Sequence, residues 1–320
     1  MLLSIAALVV GLSLLVWAAD RFVLGAAATA RNLGMSPLII GLTIVAVATS
    51  APEILISAIA AWQGNPGLSI GNAVGSNIAN IGLILGITAL ISPLRVRSDT
   101  LTRELPLMLV IVLLAYALMA NGYLGRLDGL LLLVGLAVVL YGIVGIGLRA
   151  RKGDPMHAEF STEIPAGMSM SRALTWLVVG LLVLLGSSRM LVWGAVNIAT
   201  ALGVSDLLIG LTIVAVGTSL PELAATVASA LRKEADLAIG TVIGSNMFNL
   251  LIVLAIPGLI QPGTFPTYVL TRDFPVMIAL TIALFVMAYG FRGPGRINRV
   301  EGAMLLACFI GYQSYLYYTA

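Results

Sequence analysis

GLTIVAVATSAPEILIS, Gly41 to Ser57, is an apolar run that holds Thr49, Ser50, a proline and Glu53 near its middle. The chain repeats it as GLTIVAVGTSLPELAAT, Gly210 to Thr226. Gly41–Glu53 matches Gly210–Glu222 at 11 of 13 positions, at an offset of 169. At the same offset GNAVGSNIAN (71–80) matches GTVIGSNMFN (240–249), and Arg103-Glu104-Leu105-Pro106 matches Arg272-Asp273-Phe274-Pro275. One offset held without a gap over about 65 residues is a duplication.

The chain around the repeats is too apolar for a soluble domain. It has 320 residues, 60% hydrophobic and 10% charged, with a mean hydropathy of +1.07. Soluble domains carry about 25% charged residues. The chain reads as an all-α polytopic membrane protein. A bilayer core of about 30 Å needs roughly 20 apolar residues per helix, which gives ten spans: 2–19, 37–62, 68–93, 104–121, 127–148, 173–196, 206–231, 236–260, 273–291 and 301–319. Gly, Pro and charged residues mark the breaks. The longest polar stretch, 149–172, divides the chain into a first repeat, 1–148, and a second, 173–320. The first apolar run lacks a basic leader and reads as a retained helix ending at Asp20-Arg21. The single cysteine, Cys308, excludes an intramolecular disulfide and is expected in packing, and the single histidine, His157, is expected in a solvated loop.

With ten spans, 14 of the 17 Lys and Arg residues fall on the side opposite the N-terminus; only Arg126, Arg189 and Arg272 fall on the other. The positive-inside bias makes the richer side cytoplasmic. Both termini are then outside and the central loop is inside, in the cytoplasmic (inner) membrane. The net charge of +3 reports orientation and not nucleic-acid binding. Each repeat has five spans, and an odd number inverts the second copy. Inverted repeats are a transporter architecture, with the site near the midplane between them.

Pro52 cannot donate a backbone hydrogen bond and clashes with the carbonyl four residues back. The Ala48 carbonyl therefore loses its helical partner, as does Gly217 before Pro221. Free carbonyls within a bilayer must be satisfied by protein, water or an ion. Thr49 and Ser50 precede Glu53 by four and three residues, on one helical face. Each motif offers carbonyl, hydroxyl and carboxylate oxygens with no thiolate or imidazole nearby. That set suits a hard cation: Na⁺, Ca²⁺, Mg²⁺ or Mn²⁺. Proline kinks are common in membrane helices, but a carboxylate in mid-span marks function by default.

In the following span Ser76 and Asn80 share a face, as do Ser245 and Asn249, and their oxygens can complete a cation shell. Asn77 and Asn246 read as structural. Gly71/Gly75 and Gly240/Gly244 have the small-residue spacing that lets helices approach. Glu53 and Glu222 supply at most two negative charges, which one Ca²⁺ or two Na⁺ neutralise. A site that holds either set but not both enforces exchange.

Together these motifs resemble the two alpha-repeats of the cation/Ca²⁺ exchanger superfamily, and within it the bacterial and archaeal Na⁺/Ca²⁺ antiporters. The resemblance covers essentially the whole chain. It implies ten helices in two inverted five-helix halves, and Na⁺-driven Ca²⁺ extrusion by alternating access, with the first and sixth helices sliding across a rigid core. It implies Glu53 and Glu222 as carboxylates shared by Ca²⁺ and Na⁺, with Thr49 and Thr218 on Ca²⁺ and Ser50 and Ser219 on Na⁺. It further implies Ser76 and Ser245 at flanking Na⁺ sites, the Ala46 and Ala215 carbonyls as ligands, and Asn80 facing the centre. Many relatives, including the K⁺-dependent exchangers, carry Asp where this chain has Asn249, which argues against K⁺ co-transport. The short central loop leaves no room for a separate Ca²⁺-sensing domain. No cofactor, nucleic acid or protein partner is expected beyond the transported ions and the bilayer.

Three other classes bear on the same residues. A Ca²⁺ (or Mn²⁺)/H⁺ exchanger of the same fold would use the two glutamates as proton carriers. An intramembrane serine protease would need a membrane histidine, and an aspartyl type would need a mid-span Asp pair. A channel would conduct without exchange.

Overall fold

In the computed structural model, residues 2–34, 37–95, 101–149, 168–202, 215–289 and 295–319 are described. His157, most of the central loop and the start of the seventh span lie outside them. The helices are α1 (Leu2–Leu33), α2 (Gly41–Thr49), α3 (Ala51–Trp62), α4 (Pro66–Ile91), α5 (Leu101–Met119) and α6 (Arg126–Arg149) in the first half. The second half has α7 (Met170–Ala201), α8 (Ala215–Thr218), α9 (Leu220–Leu231), α10 (Ala235–Ile260), α11 (Val269–Ala288) and α12 (Arg299–Thr319). The α2/α3 pair is one interrupted span, and α8/α9 hold the matching residues of the second repeat, so the described helices fit two inverted five-span halves. Among the described residues five helices are individually long and apolar enough to cross a membrane, and the bent α2/α3 pair makes a sixth.

Two spans are longer than expected. The first runs to Leu33, not to residue 19, and the sixth covers Met170–Ala201, not 173–196. Asp20 and Arg21 looked like a helix end because charges are costly in lipid. Both are accommodated inside the helix: Asp20 pairs with Arg232, and Arg21 lies 5.2 Å over the Trp176 ring. The helix stops at Gly34, whose φ of +65° makes a left-handed cap.

α1 and α7 pack along much of their lengths through glycines that obey the repeat offset. A Cβ on Gly11 would lie 3.0 Å from Leu191, and one on Gly180 would lie 2.7 Å from the Phe22 backbone. A Cβ on Gly25 would meet the Leu177 and Ala173 backbones, and one on Gly194 would meet Ser4 and Leu8. Adding 169 to the α1 member of one contact and subtracting it from the α7 member gives its mate, so the internal repeat extends into α1 and α7 and the pair has its own pseudo-twofold axis. Trp17 and Trp176 close the pair edge to face.

The remaining helices form a common core around α4 and α10, where Ile78, Ile81, Leu85, Ile243, Leu250 and Leu254 are fully buried. Asn65 caps α4 by accepting the Leu68 N–H at 3.1 Å, and Pro66 follows it in the first turn. The turns before α4 and α10 match: Gly64 has φ +77° and its counterpart Lys233 has φ +63°. Two two-residue ribbons, β1 (Leu94–Arg95) with β4 (Arg296–Ile297) and β2 (Tyr123–Leu124) with β3 (Gly263–Thr264), tie the loops of one half to the other. Cys308 is exposed on α12 and not packed in the core as expected. It lines an outer groove between α11 and α12.

Candidate cation site

The site begins with the two interrupted spans. Pro52 and Pro221 sit in the first turns of α3 and α9, where a missing N–H costs nothing. The residues that join each helix pair, Ser50 (φ −78°, ψ 7°) and Ser219 (φ −87°, ψ 5°), leave the helical region, and α2 and α3 meet at a 50° bend. Backbone continuity is kept by capping: Ser50 N–H donates to the Ala46 carbonyl at 3.0 Å, and Ile54 N–H to the Ser50 carbonyl at 3.1 Å. The Gly217 carbonyl, freed by Pro221, accepts the Ser188 hydroxyl from α7 at 3.0 Å.

The break changes which hydroxyl serves which carboxylate. Thr49, Ser50 and Glu53 were expected to cluster within their own repeat on a continuous helix face. Instead, Ser50 donates to Oε1 of Glu222, in the other repeat, at 3.1 Å. Thr49 stands within reach of the same carboxylate, with its hydroxyl hydrogen on the Val45 or Ala46 carbonyl. Thr218 takes the reciprocal position beside Glu53. The bend carries the Ser50 hydroxyl to the Glu222 carboxylate across the pseudo-twofold axis, and Thr218 stands beside Glu53 in the reciprocal place.

Glu53 and Glu222 are each 1% exposed and close enough to repel one another. Both oxygens of Glu53 and Oε2 of Glu222 are enclosed without a hydrogen bond of good geometry. Thr218 stands beside Glu53 without making a hydrogen bond of good geometry to it. The Ser219 and Ser245 hydroxyls and the Oδ1 atoms of Asn80 and Asn249 are also enclosed without partners. Burying so many oxygens unmatched costs several kcal/mol in an apolar medium, and a hard cation is the species that satisfies carboxylate, amide and hydroxyl oxygens at once. Among the described residues no cluster of three or more His, Cys, Asp or Glu exists, so neutral oxygens must supply the rest of any shell.

The π-helical turns Asn80–Leu85 and Asn249–Val253 begin at the two asparagines and pack against α9 and α3 respectively. Each therefore flanks the carboxylate helix of the opposite repeat. Such turns commonly mark functional sites. Ser76 is buried on α4, which crosses Ala215–Thr218, and Ser245 is buried on α10, which crosses Ala46–Thr49. Gly244 permits the second crossing, because a Cβ there would lie 2.7 Å from Ala46 and from the Leu42 carbonyl. At Gly71 and Gly75 no described residue comes within 4 Å of a Cβ, so close packing by that pair is not seen. Residues 203–214 are outside the described residues. The Ala46 carbonyl is engaged by Ser50 N–H and Thr49 and is less open than expected.

Asn77 and Asn246 hold the halves together. Asn77 donates to the Asn246 carbonyl at 3.3 Å, and Asn80 donates to Asn246 Oδ1 at 3.0 Å. Each also approaches the pseudo-equivalent methionine sulfur, Met277 for Asn77 and Met108 for Asn246. Two contributors escaped the sequence reading. Ser188 has no motif around it. Asn72, which donates to the Glu53 carbonyl at 3.0 Å, was visible as a member of the polar stripe Ser69, Asn72, Ser76, Asn80.

A cavity of about 420 Å³ reaches Pro52, Leu55, Ser188, Val192, Gly217 and Thr218. The pseudo-equivalent region is closed: Ala19, Val23 and Ala225 are buried there against Ala48 and Ala224.

Two inverted five-span halves with a buried carboxylate on each define a membrane carrier of the secondary-transporter class. The family profile described as "Sodium/calcium exchanger protein" matches residues 3–145 and 172–318. The chain belongs to that family, one of transporters and not of enzymes. It is 51% identical over 317 residues to the putative antiporter CaxA of Alkalimonas amylolytica, covering 99% of each chain. It is 41% identical over 320 residues to the inner membrane protein YrbG of Escherichia coli K12, covering 99% of this chain and 98% of the other. The solved structure of the sodium-calcium exchanger NCX_Mj soaked with zero Na⁺ and Ca²⁺ superposes with a TM-score of 0.85 at 35% identity, over 98% of this chain and 99% of that one.

Proposed function

We propose that the protein exchanges Na⁺ for Ca²⁺ across the cytoplasmic (inner) membrane by alternating access, and that it serves Ca²⁺ extrusion. The observation that carries this reading is the pair of fully buried carboxylates, one per repeat, with three of their four oxygens lacking a protein donor. Glu53 and Glu222 are the shared ligands. Thr49, Ser50, Thr218, Ser219, Ser76, Ser245, Asn80 and Asn249 complete the shells, with the Ala46 and Ala215 carbonyls at the ends. One Ca²⁺ or two Na⁺ neutralise the pair, so the two loads exclude one another and the bare site crosses between its two states more slowly than the loaded one. The halves are 1–148 and 173–320, joined by a cytoplasmic segment over 149–172, with both termini outside. In that orientation the open cavity faces outward. The ions are cargo, and the protein needs no cofactor.

The test is ⁴⁵Ca²⁺ uptake into Na⁺-loaded proteoliposomes, with wild type beside Glu53→Gln and Glu222→Gln. Uptake that requires the outward Na⁺ gradient and is lost in both variants is expected. Uptake that ignores Na⁺ but follows a proton gradient would assign H⁺ coupling instead.

A further inference from the structure

The repeat offset places Asp20 opposite Arg189 and Gln63 opposite Arg232. These four positions are pseudo-equivalent in backbone but not in charge. At the closed end, Arg232 follows α9 and holds Asp20 of α1: Nε donates to Oδ1 at 2.8 Å, and Nη2 donates to the same oxygen. At the open end, Arg189 of α7 lines the cavity, and its pseudo-partner Gln63 is an exposed amide at the end of α3. No ion pair joins these two among the described residues, and Gln63 has no charge with which to make one.

In a carrier built from inverted repeats, the second access state is reached when the two halves exchange conformations. The closed end then opens and the open end closes. Asp20 leaves Arg232, while Arg189 approaches Gln63. The state with the Pro52 cavity open holds an ion pair, and its counterpart holds at most a single charge on a neutral amide. Arg21 on Trp176 does not discriminate, because both belong to the α1/α7 pair.

We propose that Asp20–Arg232 is a latch that biases the empty carrier toward the state with the Pro52 cavity open, and that Arg189 and Gln63 are its deliberately weaker mirror image. The inference rests on the alternating-access reading above. The pair is half-exposed, and such pairs shift an equilibrium by about two- to fivefold. A latch of that strength tilts turnover without arresting it, which a carrier that must visit both states requires.

The test uses pseudo-equivalent reporters in a Cys308→Ser background: Val192→Cys in the open cavity and Val23→Cys in the closed region. The initial rate of alkylation by a small polar maleimide is measured in detergent, in choline buffer without Na⁺ or Ca²⁺. Asp20→Asn and Arg232→Gln should each raise the Val23-to-Val192 labelling ratio about two- to fivefold. The charge exchange Asp20→Arg with Arg232→Asp should restore the ratio. Gln63→Glu, which gives Arg189 a partner in the other state, should raise the ratio although it touches neither Asp20 nor Arg232. An unchanged ratio in the single variants, no restoration on charge exchange, or no effect of Gln63→Glu would overturn the latch. Because labelling is read without ions, a failed latch beside intact Na⁺-dependent uptake would leave the exchange reading standing. A shifted ratio beside absent uptake would do the reverse.

Discussion

The α1/α7 pair makes a quantitative prediction about glycine. A Cβ on Gly25 would sit 2.4 Å from the Leu177 nitrogen and 2.8 Å from the Ala173 carbonyl oxygen, and neither is the movable end of a side chain. Gly25→Ala therefore forces the helices about 1 Å apart to restore ordinary contact, at an overpacking cost of about 1–3 kcal/mol. Gly186 lies in the same helix pair, on α7, with nothing within 4 Å of its would-be Cβ. Gly186→Ala gains helix propensity, about 0.8–1 kcal/mol, with no steric cost. The same propensity gain applies at Gly25, so the difference between the two variants isolates the steric cost. Gly25→Ala should be less stable than Gly186→Ala by about 1–3 kcal/mol, and Gly194→Ala, its pseudo-equivalent, should follow Gly25→Ala. Thermal unfolding in one detergent, followed by intrinsic tryptophan fluorescence, reads the order directly. A Gly25→Ala protein as stable as Gly186→Ala would refute the close approach of α1 and α7 on which the pseudo-twofold description rests.

Three further outcomes follow from the site. Ser50→Ala removes a charge-assisted bond to Glu222, worth about 1.5–3 kcal/mol; it should raise the Na⁺ concentration for half-maximal exchange about tenfold or more, while Ser57→Ala, whose hydroxyl goes to the Val253 carbonyl, should leave it near wild type. Asn246→Leu strands the Asn80 amide, whose partner is Asn246 Oδ1, at about 1–3 kcal/mol, and leaves the Asn77 bond to the backbone carbonyl in place; it should lower the unfolding temperature and with it the yield of folded carrier, as read by size-exclusion and melting. Asn249→Asp adds a third negative charge to the site, so K⁺ should stimulate Ca²⁺ uptake by the variant and not by wild type; an absence of K⁺ effect in both would remove Asn249 from the ion shell.

Much of this architecture was legible because the chain says it twice. The repeated TSxPE and GSNxxN motifs located both interrupted spans, both carboxylates and both asparagine turns, and the parity of the repeat inverted the halves. The glycines at 11, 25, 180 and 194 obey the same offset and were readable too, but only a structure shows that they meet. What could not be read depends on three-dimensional direction. Thr49 and Ser50 are neighbours of Glu53 in sequence, yet the break at Ser50 sends their hydroxyls to Glu222. Asp20 and Arg21 looked like the end of a span because their partners, Arg232 and Trp176, are more than 150 residues away in the chain. From sequence alone Arg189 counts as a charge of the side opposite the central loop, with the sixth span ending near residue 196. In the longer helix it stands in the wall of the access cavity.

The central claim is that one buried pair of carboxylates takes either Ca²⁺ or Na⁺. Calorimetric titration of the purified carrier with Ca²⁺ at a series of Na⁺ concentrations tests it most directly. The account predicts that the apparent Ca²⁺ dissociation constant rises steeply with Na⁺, approaching the square of its concentration, and that Glu53→Gln and Glu222→Gln abolish the competition. A Ca²⁺ affinity indifferent to Na⁺, with both ions bound together, would contradict it.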